Sequence, residues 1–466
     1  MTLKSYLFLL LCISIVSCTT DIDDEIRPAT TLELSEFIYR GLNYWSLYKS
    51  EVPALANDRF SSEQEKLDFL RGFDSPEETF DALIAPIDRF SILRSDYVEL
   101  ENALAGVRKS TGMRFSILED PNNSTNRFGV VRYVINNSPA AAAGVSRGML
   151  FTAVDGINLT ASSDLNAIFG QDSFTINLAS FDGSTITPTG EAIVLNNVEL
   201  TINPVHTTSI IETPTKKIGY LHYTGFTNEF DPELNAAFST FKAEGVDEFI
   251  LDLRYNGGGS VETANDLCTM ITGQFEGQEF ITQQYNADRN PDNQFVRRFN
   301  DQIGSGAAIN SLNLSQLIVL TTSNTASSSE LVLSGLAPYI TITQIGTNTR
   351  GKFEGSFLLY DAPEPNFSRS MANPNHRYVM LPLTLRAVNA NGLTNYFDGF
   401  TPDIALEEDP FNLGSLGDTS DPFIETAVNV ALGRQVTPTK AMTQFDAVLE
   451  SDQSDLLYQR MIVNDN

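Results

Sequence analysis

Two short segments of the sequence carry residue types that could do chemistry. The glycine run 257–259 follows a strand-like stretch, so its backbone could approach a ligand closely and point N–H groups at an anion. Ser327 stands at the start of a helix-like stretch, where the helix dipole favours negative charge and a serine could act as a nucleophile. Each pattern also has a plain structural explanation, because glycine loops are common and a serine in this place usually caps the helix.

The elements that must position these segments alternate between strand-like and helix-like patterns over residues 207–436. Strands are predicted at 218–223, 248–254 and 317–321, and an amphipathic helix at 232–245 ends at a glycine. This alternation predicts an α/β or mixed α+β core. No lysine of the phosphate-loop type follows the glycine run, so the loop lacks the pattern of a nucleotide site.

The regions on either side of this core have different textures. Residues 31–110 are rich in helix formers with apolar residues at helical spacing, which predicts a small helical domain. Residues 437–466 also carry apolar residues at helical spacing, which predicts a C-terminal helix that packs on the core or on another subunit. These apolar positions are Met442, Phe445, Val448, Leu449, Leu456 and Leu457.

Residues 111–206 consist of short β-like runs broken by Gly, Asn and Asp. A strand-like run, a capped Ser-Pro-Ala turn and a strand that runs into an Asp-Gly turn follow one another, and together they resemble a PDZ domain of the bacterial protease type. The resemblance implies that a peptide binds as an added strand, with Phe128, Gly129 and Val130 in the loop that captures its carboxylate. The alternative is a PDZ-like module that only packs against its neighbours.

The chemical segments resemble those of the C-terminal processing (tail-specific) serine peptidases. The stretch 251–259, Leu-Asp-Leu-Arg-Tyr-Asn-Gly-Gly-Gly, is similar to the family's glycine motif, and the run Ser-Ser-Ser-Glu from Ser327 is similar to its helix start. Lys352 follows Ser327 by 25 residues, which is the family spacing. The resemblance covers about residues 115–410. It implies an α+β or α/β multidomain fold: a helical N-terminal domain, a PDZ β-sandwich-like domain, and a mixed α/β peptidase core of the ClpP/crotonase-like type.

The same resemblance implies a Ser/Lys dyad, with Ser327 as the nucleophile and Lys352 as its base. A lysine can be that base only if burial and neighbours lower its pKa from about 10.4 towards neutrality. The tetrahedral intermediate needs N–H donors, and we assign these to Gly258 and to the backbone of Ser328.

The sequence departs from the family pattern around the base. Ser356 stands where the family usually has a glutamine that helps to orient the lysine, and whether it supports Lys352 is open. A related branch uses His and Glu around the serine. His222 and Glu330 could take those roles, although Glu330 is better explained as shaping the start of the helix.

Composition excludes several classes of function. The 466 residues carry a formal net charge of -29, and so acidic a surface repels phosphate backbones, which excludes nucleic acid as a partner. The three histidines do not have metal-ligand spacing, so neither a metal nor another cofactor is expected. A Ser/Lys dyad needs no histidine, which agrees with this composition.

The start of the chain has the pattern of an export signal. Residues 1–17 combine a lysine with a short apolar run, and Cys18 follows a small residue, as in the bacterial lipoprotein cleavage box. The resemblance implies a lipid on Cys18 that attaches the protein to the membrane. The acidic tether 18–30 resembles export signals of Bacteroidetes-type surface lipoproteins, although a merely solvated linker is equally compatible. An ordinary signal peptide with an incidental cysteine is the alternative, and Cys268 is expected to be a buried thiol.

These observations lead to one favoured hypothesis and two competitors. The favoured one is a lipid-anchored serine endopeptidase of the cell envelope, on either face of the outer membrane, that acts on unfolded or C-terminal polypeptide substrates. The first competitor is a catalytically impaired peptide-binding lipoprotein of the same fold. The second, a glycan-binding surface lipoprotein, depends only on the acidic tether. The oligomeric state stays open.

Overall fold

The computed structural model describes residues 27–436, 445 and 447–463. The predicted signal 1–17, the lipidation residue Cys18 and most of the tether 18–30 lie outside the described residues. Within the described part, no helix combines the length and the apolar character that a membrane crossing requires.

The N-terminal region is mainly helical, as predicted. Its elements are α1 (Thr31–Trp45), α2 (Glu63–Leu70), α3 (Pro76–Leu83), β1 (Ile92–Arg94), α4 (Tyr97–Leu104) and β2 (Val107–Ser110). A capping box begins α1, because the Thr30 N–H donates to the Glu33 carboxylate at 2.7 Å while Thr30 Oγ1 accepts from the Glu33 N–H. Phe37 of this helix is buried together with Leu359 and Met380, so the N-terminal region packs directly on the later part of the chain.

The middle domain, residues 113–201, is built around an antiparallel sheet. Its elements are β3 (Met113–Asp120), β4 (Asn123–Val134), α5 (Pro139–Ala142), β5 (Leu150–Val154), β6 (Ile157–Asn158), α6 (Leu165–Phe169), β7 (Ser173–Phe181), β8 (Ile186–Asn196) and β9 (Val198–Thr201). Strands β3, β4, β5, β7 and β8 lie side by side in that order. Phe115 and Phe151 of the sheet pack with Leu165 and Phe169 of α6, so this helix covers one face.

The prediction that residues 128–130 of the middle domain form a carboxylate-binding loop is wrong. Phe128, Gly129 and Val130 lie buried in the centre of β4, where all three pair with β3 and the last two also pair with β5. A strand that is paired on both edges has no edge left to offer to a peptide. The sequence was misleading because a short apolar run is equally typical of a central strand.

The third region carries the α/β core predicted for residues 207–436. Its elements are β10 (Val205–Glu212), β11 (Lys217–Tyr223), α7 (Asp231–Glu244), β12 (Glu248–Asp252), β13 (Gly259–Ser260), α8 (Val261–Thr272), β14 (Glu279–Tyr285), α9 (Asn290–Asn293), β15 (Phe295–Arg298), β16 (Gln316–Thr321), α10 (Ser328–Leu336), β17 (Thr341–Gly346), β18 (Glu354–Gly355), β19 (Leu359–Tyr360), β20 (Val379–Leu381), β21 (Leu385–Asn389), β22 (Ile404–Ala405) and α11 (Pro422–Ala431). Short 3₁₀ turns lie at Lys49–Glu51, Pro53–Leu55, Asn228–Phe230 and Arg369–Met371.

The main sheet of this core has the strand order β10, β11, β12, β16, β17, β22. Strand β10 is antiparallel to β11, and the remaining pairs are parallel. Helices α7, α8 and α10 pack on one face and α11 on the other, which explains why these strands are apolar on both sides. Gly245 ends α7 in the left-handed conformation at the predicted position, and Cys268 is buried in α8 as expected.

The predicted C-terminal helix is wrong over the residues that the structure describes after 436. The chain forms two short strands there, β23 (Ala447–Glu450) and β24 (Met461–Ile462), joined by turns, while 437–444 lie outside the described residues. The apolar residues that suggested a helix contact different parts of the molecule, since Leu449 packs in the middle domain and Leu456 and Leu457 pack beside α4. Their spacing reflects separate contacts rather than one helix face.

Candidate active site

The glycine run, Ser327 and Lys352 come together at one edge of the main sheet. Strands β12, β16 and β17 are parallel neighbours, so their carboxyl ends meet at the same edge. The glycine run follows β12, Ser327 follows β16, and Lys352 follows β17. Loops at this edge of a parallel sheet are the usual place for a ligand or a reaction.

Ser327 lies in a sharp turn between β16 and α10. Its φ is 66° and its ψ is −119°, a backbone conformation that costs a non-glycine residue about 1–3 kcal/mol. The turn makes Ser327 the cap residue of α10, and its side chain is fully buried. Within the described part of the chain, its Oγ has no hydrogen-bond partner. The fold therefore holds a buried hydroxyl in a strained turn beside the positive end of a helix.

Glu330 joins the turn of Ser327 to the loop of Lys352. One carboxylate oxygen accepts from the Ser327 N–H and from the Lys352 N–H, each at 2.8 Å. The other oxygen accepts from the Thr349 hydroxyl and from the Gly351 N–H, each at 2.6 Å. Burial raises the pKa of Glu330, and these four hydrogen bonds oppose that shift. Glu330 thus shapes the start of α10 and also holds the loop that carries Lys352 against it.

Lys352 is fully buried, and the direct contacts described for its amine are a main-chain oxygen and an aromatic ring. Its Nζ donates to the main-chain oxygen of Glu354 at 2.8 Å and lies 4.5 Å from the centre of the Phe90 ring. Burial lowers the pKa of Lys352 to about 7, the nearby Glu354 carboxylate opposes the shift, and the Arg460 guanidinium adds to it. A lysine with such a pKa exchanges a proton near neutral pH, as a general base must.

The glycine loop lies directly against the serine. A Cβ on Gly258 would fall 2.6 Å from the Ser327 Cβ, and the loop has a φ of 106° there, so only glycine fits. The Gly258 N–H donates to the Asn256 side chain at 2.9 Å, and the Ser328 hydroxyl donates to the Gly259 carbonyl at 2.7 Å. The two predicted oxyanion donors therefore belong to segments that are tied to each other next to Ser327.

The other two candidate support residues, Ser356 and His222, have different partners. The Ser356 main chain pairs with the segment around β24, donating to the Met461 carbonyl and accepting from the Val463 N–H, each at 2.9 Å. His222 is buried in a cluster with His206 and Tyr133, where its Nδ1 lies 3.1 Å from the His206 Nδ1. The structure thus brings Glu330 to Ser327 and Lys352, and it places His222 in a separate cluster.

Several residues that shape the site were missed by sequence reasoning. Phe90 and Arg89 come from the N-terminal region, and Arg89 donates to the Gly351 carbonyl at 2.6 Å. Asn256 accepts at its main-chain oxygen from the Ser329 hydroxyl at 3.0 Å, which ties the glycine loop to α10. Thr349 precedes the lysine by three residues. Asn256 lies within the glycine motif and Thr349 lies close to Lys352, so their position in the sequence was the only sign of a role. The sequence around Phe90 gave no such sign.

A second buried cation lies at the end of β12. Arg254 donates to Asp252 at 2.6 Å and to Asp421 at 2.8 Å, and it contacts Glu408 at 3.1 Å. Burial disfavours the charged form of Arg254, but the carboxylates outweigh it and raise its pKa. Arg147 of the middle domain also contacts Glu408 and Asp421, at 3.3 and 3.1 Å, so this network connects the middle domain to the core.

The comparisons with known proteins agree with this architecture. Residues 217–360 match peptidase family S41, and residues 33–92 match the N-terminal domain of S41 peptidases. A solved structure from Bacteroides fragilis, assigned to the S41 proteases, is 25% identical, with a TM-score of 0.69, and the match covers 88% of this chain and 98% of that one.

Curated relatives are also similar to the chain. A carboxyl-terminal-processing protease of Synechocystis is 24% identical over 66% of this chain and 66% of its own length. The chloroplastic carboxyl-terminal-processing peptidase 2 of Arabidopsis thaliana is 25% identical over 70% of this chain and 60% of its own length. The chain thus spans about two thirds or less of these relatives.

Over residues 33–92 and 217–360 the chain is thus similar to peptidase family S41, and its curated relatives are C-terminal processing proteases. Its mixed α/β multidomain fold is that of S41 protease structures.

Proposed function

We propose that the protein is a serine endopeptidase in which Ser327 is the nucleophile and Lys352 the general base. The observation that carries the proposal is the single carboxylate of Glu330, which holds the backbone of both residues while the lysine amine stays buried. A buried amine with a pKa of about 7 is neutral in a large fraction of molecules near neutral pH, so it can accept the serine proton.

The reaction would proceed in two similar halves. Ser327 Oγ forms a bond to the carbonyl carbon of the substrate while its proton passes to Lys352 Nζ. The C–N bond then breaks, and Lys352 returns the proton to the leaving amine. Water repeats the attack on the acyl-serine and regenerates Ser327. The Ser328 N–H would stabilise the negative oxygen in both halves, and the Gly258 N–H would join it on exchanging its Asn256 partner for the substrate oxygen.

The middle domain would bind the substrate as a PDZ domain does, by adding a polypeptide strand to its sheet. Strand β3 is the outermost strand of residues 113–201 on one side of this sheet, where it pairs with β23, and α6 borders a cavity of about 780 Å³ on the same side. The proposed partners are unfolded polypeptides and polypeptide C-termini. A lipid on Cys18 would attach the enzyme to the outer membrane of the cell envelope.

The test compares the chain from residue 19 with its Ser327→Ala and Lys352→Ala variants on an unfolded protein substrate. Mass spectrometry of the products is expected to show cleavage by the parent chain and loss of cleavage in both variants. Cleavage at the parental rate by either folded variant would contradict the dyad.

A second candidate function is peptide binding without hydrolysis. It is favoured by one observation, namely that the Lys352 amine donates to Glu354 while the Ser327 hydroxyl has no partner among the described residues. Active-site hydrogen bonds often tighten only when substrate binds. Absence of products from the parent chain at every pH, together with retained peptide binding, would establish this second function instead.

A further inference from the structure

The segment of residues 447–463, here named the cleft segment, follows an unusual path. It begins on the middle domain and ends beside Ser327, so it contacts both parts of the proposed enzyme. Its contacts at each end are those expected of a bound polypeptide. The inference below rests on the proposed function and concerns what occupies its substrate path.

At its first end the cleft segment adds a strand to the middle domain. Strand β23 pairs antiparallel with β3, with Leu449 opposite Ile117 and Glu450 opposite Ser116. The pairing is continued by the Ser451 N–H, which donates to the Phe115 carbonyl at 2.9 Å. This edge of the sheet is where a peptide would be added. The edge is therefore already used by the chain itself.

The middle of the segment crosses from the middle domain to the catalytic loops. Asp455 forms ion pairs with Arg108 at 2.6 Å and with Arg114 at 3.2 Å. Three residues further on, the Tyr458 hydroxyl donates to the Asn324 side chain at 3.3 Å, in the loop that leads to Ser327. One continuous stretch of the chain thus connects the two places where the substrate would have to bind.

At its second end the segment lies between the glycine loop and the strand after the lysine. Met461 and Ile462 pair with Gly259 and Ser260 on one side. On the other side, the Ser356 N–H and carbonyl bond to the segment, each at 2.9 Å. Ile462 is 2% exposed, so the main chain is enclosed from both sides. An extended polypeptide held in this way fills the cleft.

The segment also reaches the reacting atoms. The carbonyl oxygen of Arg460 and the Oγ of Ser327 both lie 2.8 Å from the point where a Cβ on Gly258 would stand. A peptide carbonyl of the chain itself therefore lies next to the nucleophile and the glycine loop. The carbonyl of a substrate would have to approach Ser327 in the same neighbourhood.

We propose that the cleft segment is an internal, substrate-like occupant of the peptidase. It covers the peptide-binding edge of β3 and the cleft at Ser327 together, and a polypeptide substrate binds along the same path after displacing it. Each pairing involves only a few residues, but Met461 and Val463 are buried in the core, so the β23 end is expected to open first. Release of the segment should therefore activate the enzyme.

The test uses the full-length protein with Ile462→Asp, which places a carboxylate in the enclosed part of the cleft segment. Val448→Asp is the matched control, because Val448 belongs to the same segment but is 49% exposed. We expect Ile462→Asp to raise kcat/KM for an unfolded substrate at least tenfold and Val448→Asp to leave it near the parental value. A folded Ile462→Asp variant with an unchanged or lower rate would overturn the proposal.

A binding measurement separates this inference from the proposed function. A fluorescent peptide of residues 447–463 should bind the Ser327→Ala protein weakly and bind Ser327→Ala/Ile462→Asp at least tenfold more tightly, even if no variant hydrolyses anything. Equal binding to the two folded proteins would refute occupancy of the path. A variant that ends at residue 446 provides a second route. If it and Ile462→Asp both unfold, the segment is an integral strand of the core and the proposal fails.

Discussion

Arg254 and Lys352 are two fully buried basic residues that follow strands β12 and β17 of the same sheet, and their protonation behaves in opposite ways. Arg254 donates to the carboxylates of Asp252 and Asp421, and its pKa is raised in spite of burial. Lys352 donates to a main-chain carbonyl, and burial lowers its pKa to about 7. Equal burial therefore gives a permanent charge in one place and a proton acceptor in the other. Whether the buried residue stays charged depends on whether its hydrogen-bonding partner is a carboxylate or a main-chain carbonyl.

The carboxylates of the two regions show the same difference. Glu330 accepts only neutral N–H and O–H donors among its described hydrogen bonds, and burial raises its pKa. Asp252 is also buried, but the Arg254 guanidinium holds its pKa well below the usual range. The network at Arg254 therefore keeps its groups charged and joins parts of the fold, whereas burial at the active site opposes the charged forms of Lys352 and Glu330.

Lys352→Met should have the largest effect on activity. Removing a general base typically costs a factor of about 10²–10⁴, so kcat is expected to fall by that range. The free energy of unfolding should not decrease at pH 7, because methionine fills similar space without burying an amine. Steady-state kinetics and urea unfolding measure the two effects. A large loss of stability would mean that Lys352 is structural, as Arg254 is.

Arg254→Met should have the largest effect on stability. It leaves Asp252 and Asp421 buried without their cation, and breaking a buried pair in this way costs about 3–5 kcal/mol. The measurement is the free energy of unfolding in urea. A double variant, Arg254→Met with Asp421→Asn, is expected to recover part of the loss. A loss below about 1 kcal/mol for the single variant would remove the contrast with Lys352.

The pH dependence of activity should follow Lys352. Its neutral form is the base, so kcat/KM is expected to rise as pH increases through about 7 and to level off above that. A profile that is flat between pH 6 and pH 8.5, measured on the parental chain, would contradict the assignment of the base.

Stability should also depend on pH through the same residue. Between pH 7 and the lysine's ordinary value, the unfolded chain holds a proton that the folded chain lacks, so this residue's contribution to stability increases with pH. Relative to Lys352→Met, the parental protein should gain about 1.4 kcal/mol per pH unit in that window. Comparing the parental protein with Arg254→Met should show no such pH dependence of stability. The pKa of Arg254 lies above this pH window in both the folded and the unfolded chain.

Glu330→Gln should weaken the link between nucleophile and base. The amide presents N–H groups where the carboxylate accepted N–H donors, so at least one side of the loop loses its partner. We expect kcat to fall about 10–100-fold with KM unchanged, since Glu330 positions the catalytic residues and leaves the substrate path alone. An increase in KM at constant kcat would place Glu330 in substrate binding.

The sequence predicted the parts of this site that depend on local order. The motif around Ser327, the spacing to Lys352 and the strands before them are continuous in the chain, and the structure brings these segments to one edge of the sheet. Phe90 was not predictable, because it reaches Lys352 through packing of the N-terminal region. The strand β23 was also missed, since its partner β3 lies more than 300 residues away and a helical spacing of apolar residues concealed it.

Ser356→Ala should have the smallest effect. The described contacts of the Lys352 amine are the Glu354 carbonyl and the Phe90 ring, so the Ser356 side chain is not needed to hold it. Its main-chain bonds to the cleft segment are kept in the alanine variant. We expect kcat/KM within about threefold of the parental value, a difference of about 0.7 kcal/mol or less. Phe90→Ala is the matched comparison, because it exposes the amine to water, which should raise the pKa of Lys352 and shift the pH profile upward. A loss for Ser356→Ala as large as that for Lys352→Met would show that the serine supports the base in the place of the family's glutamine.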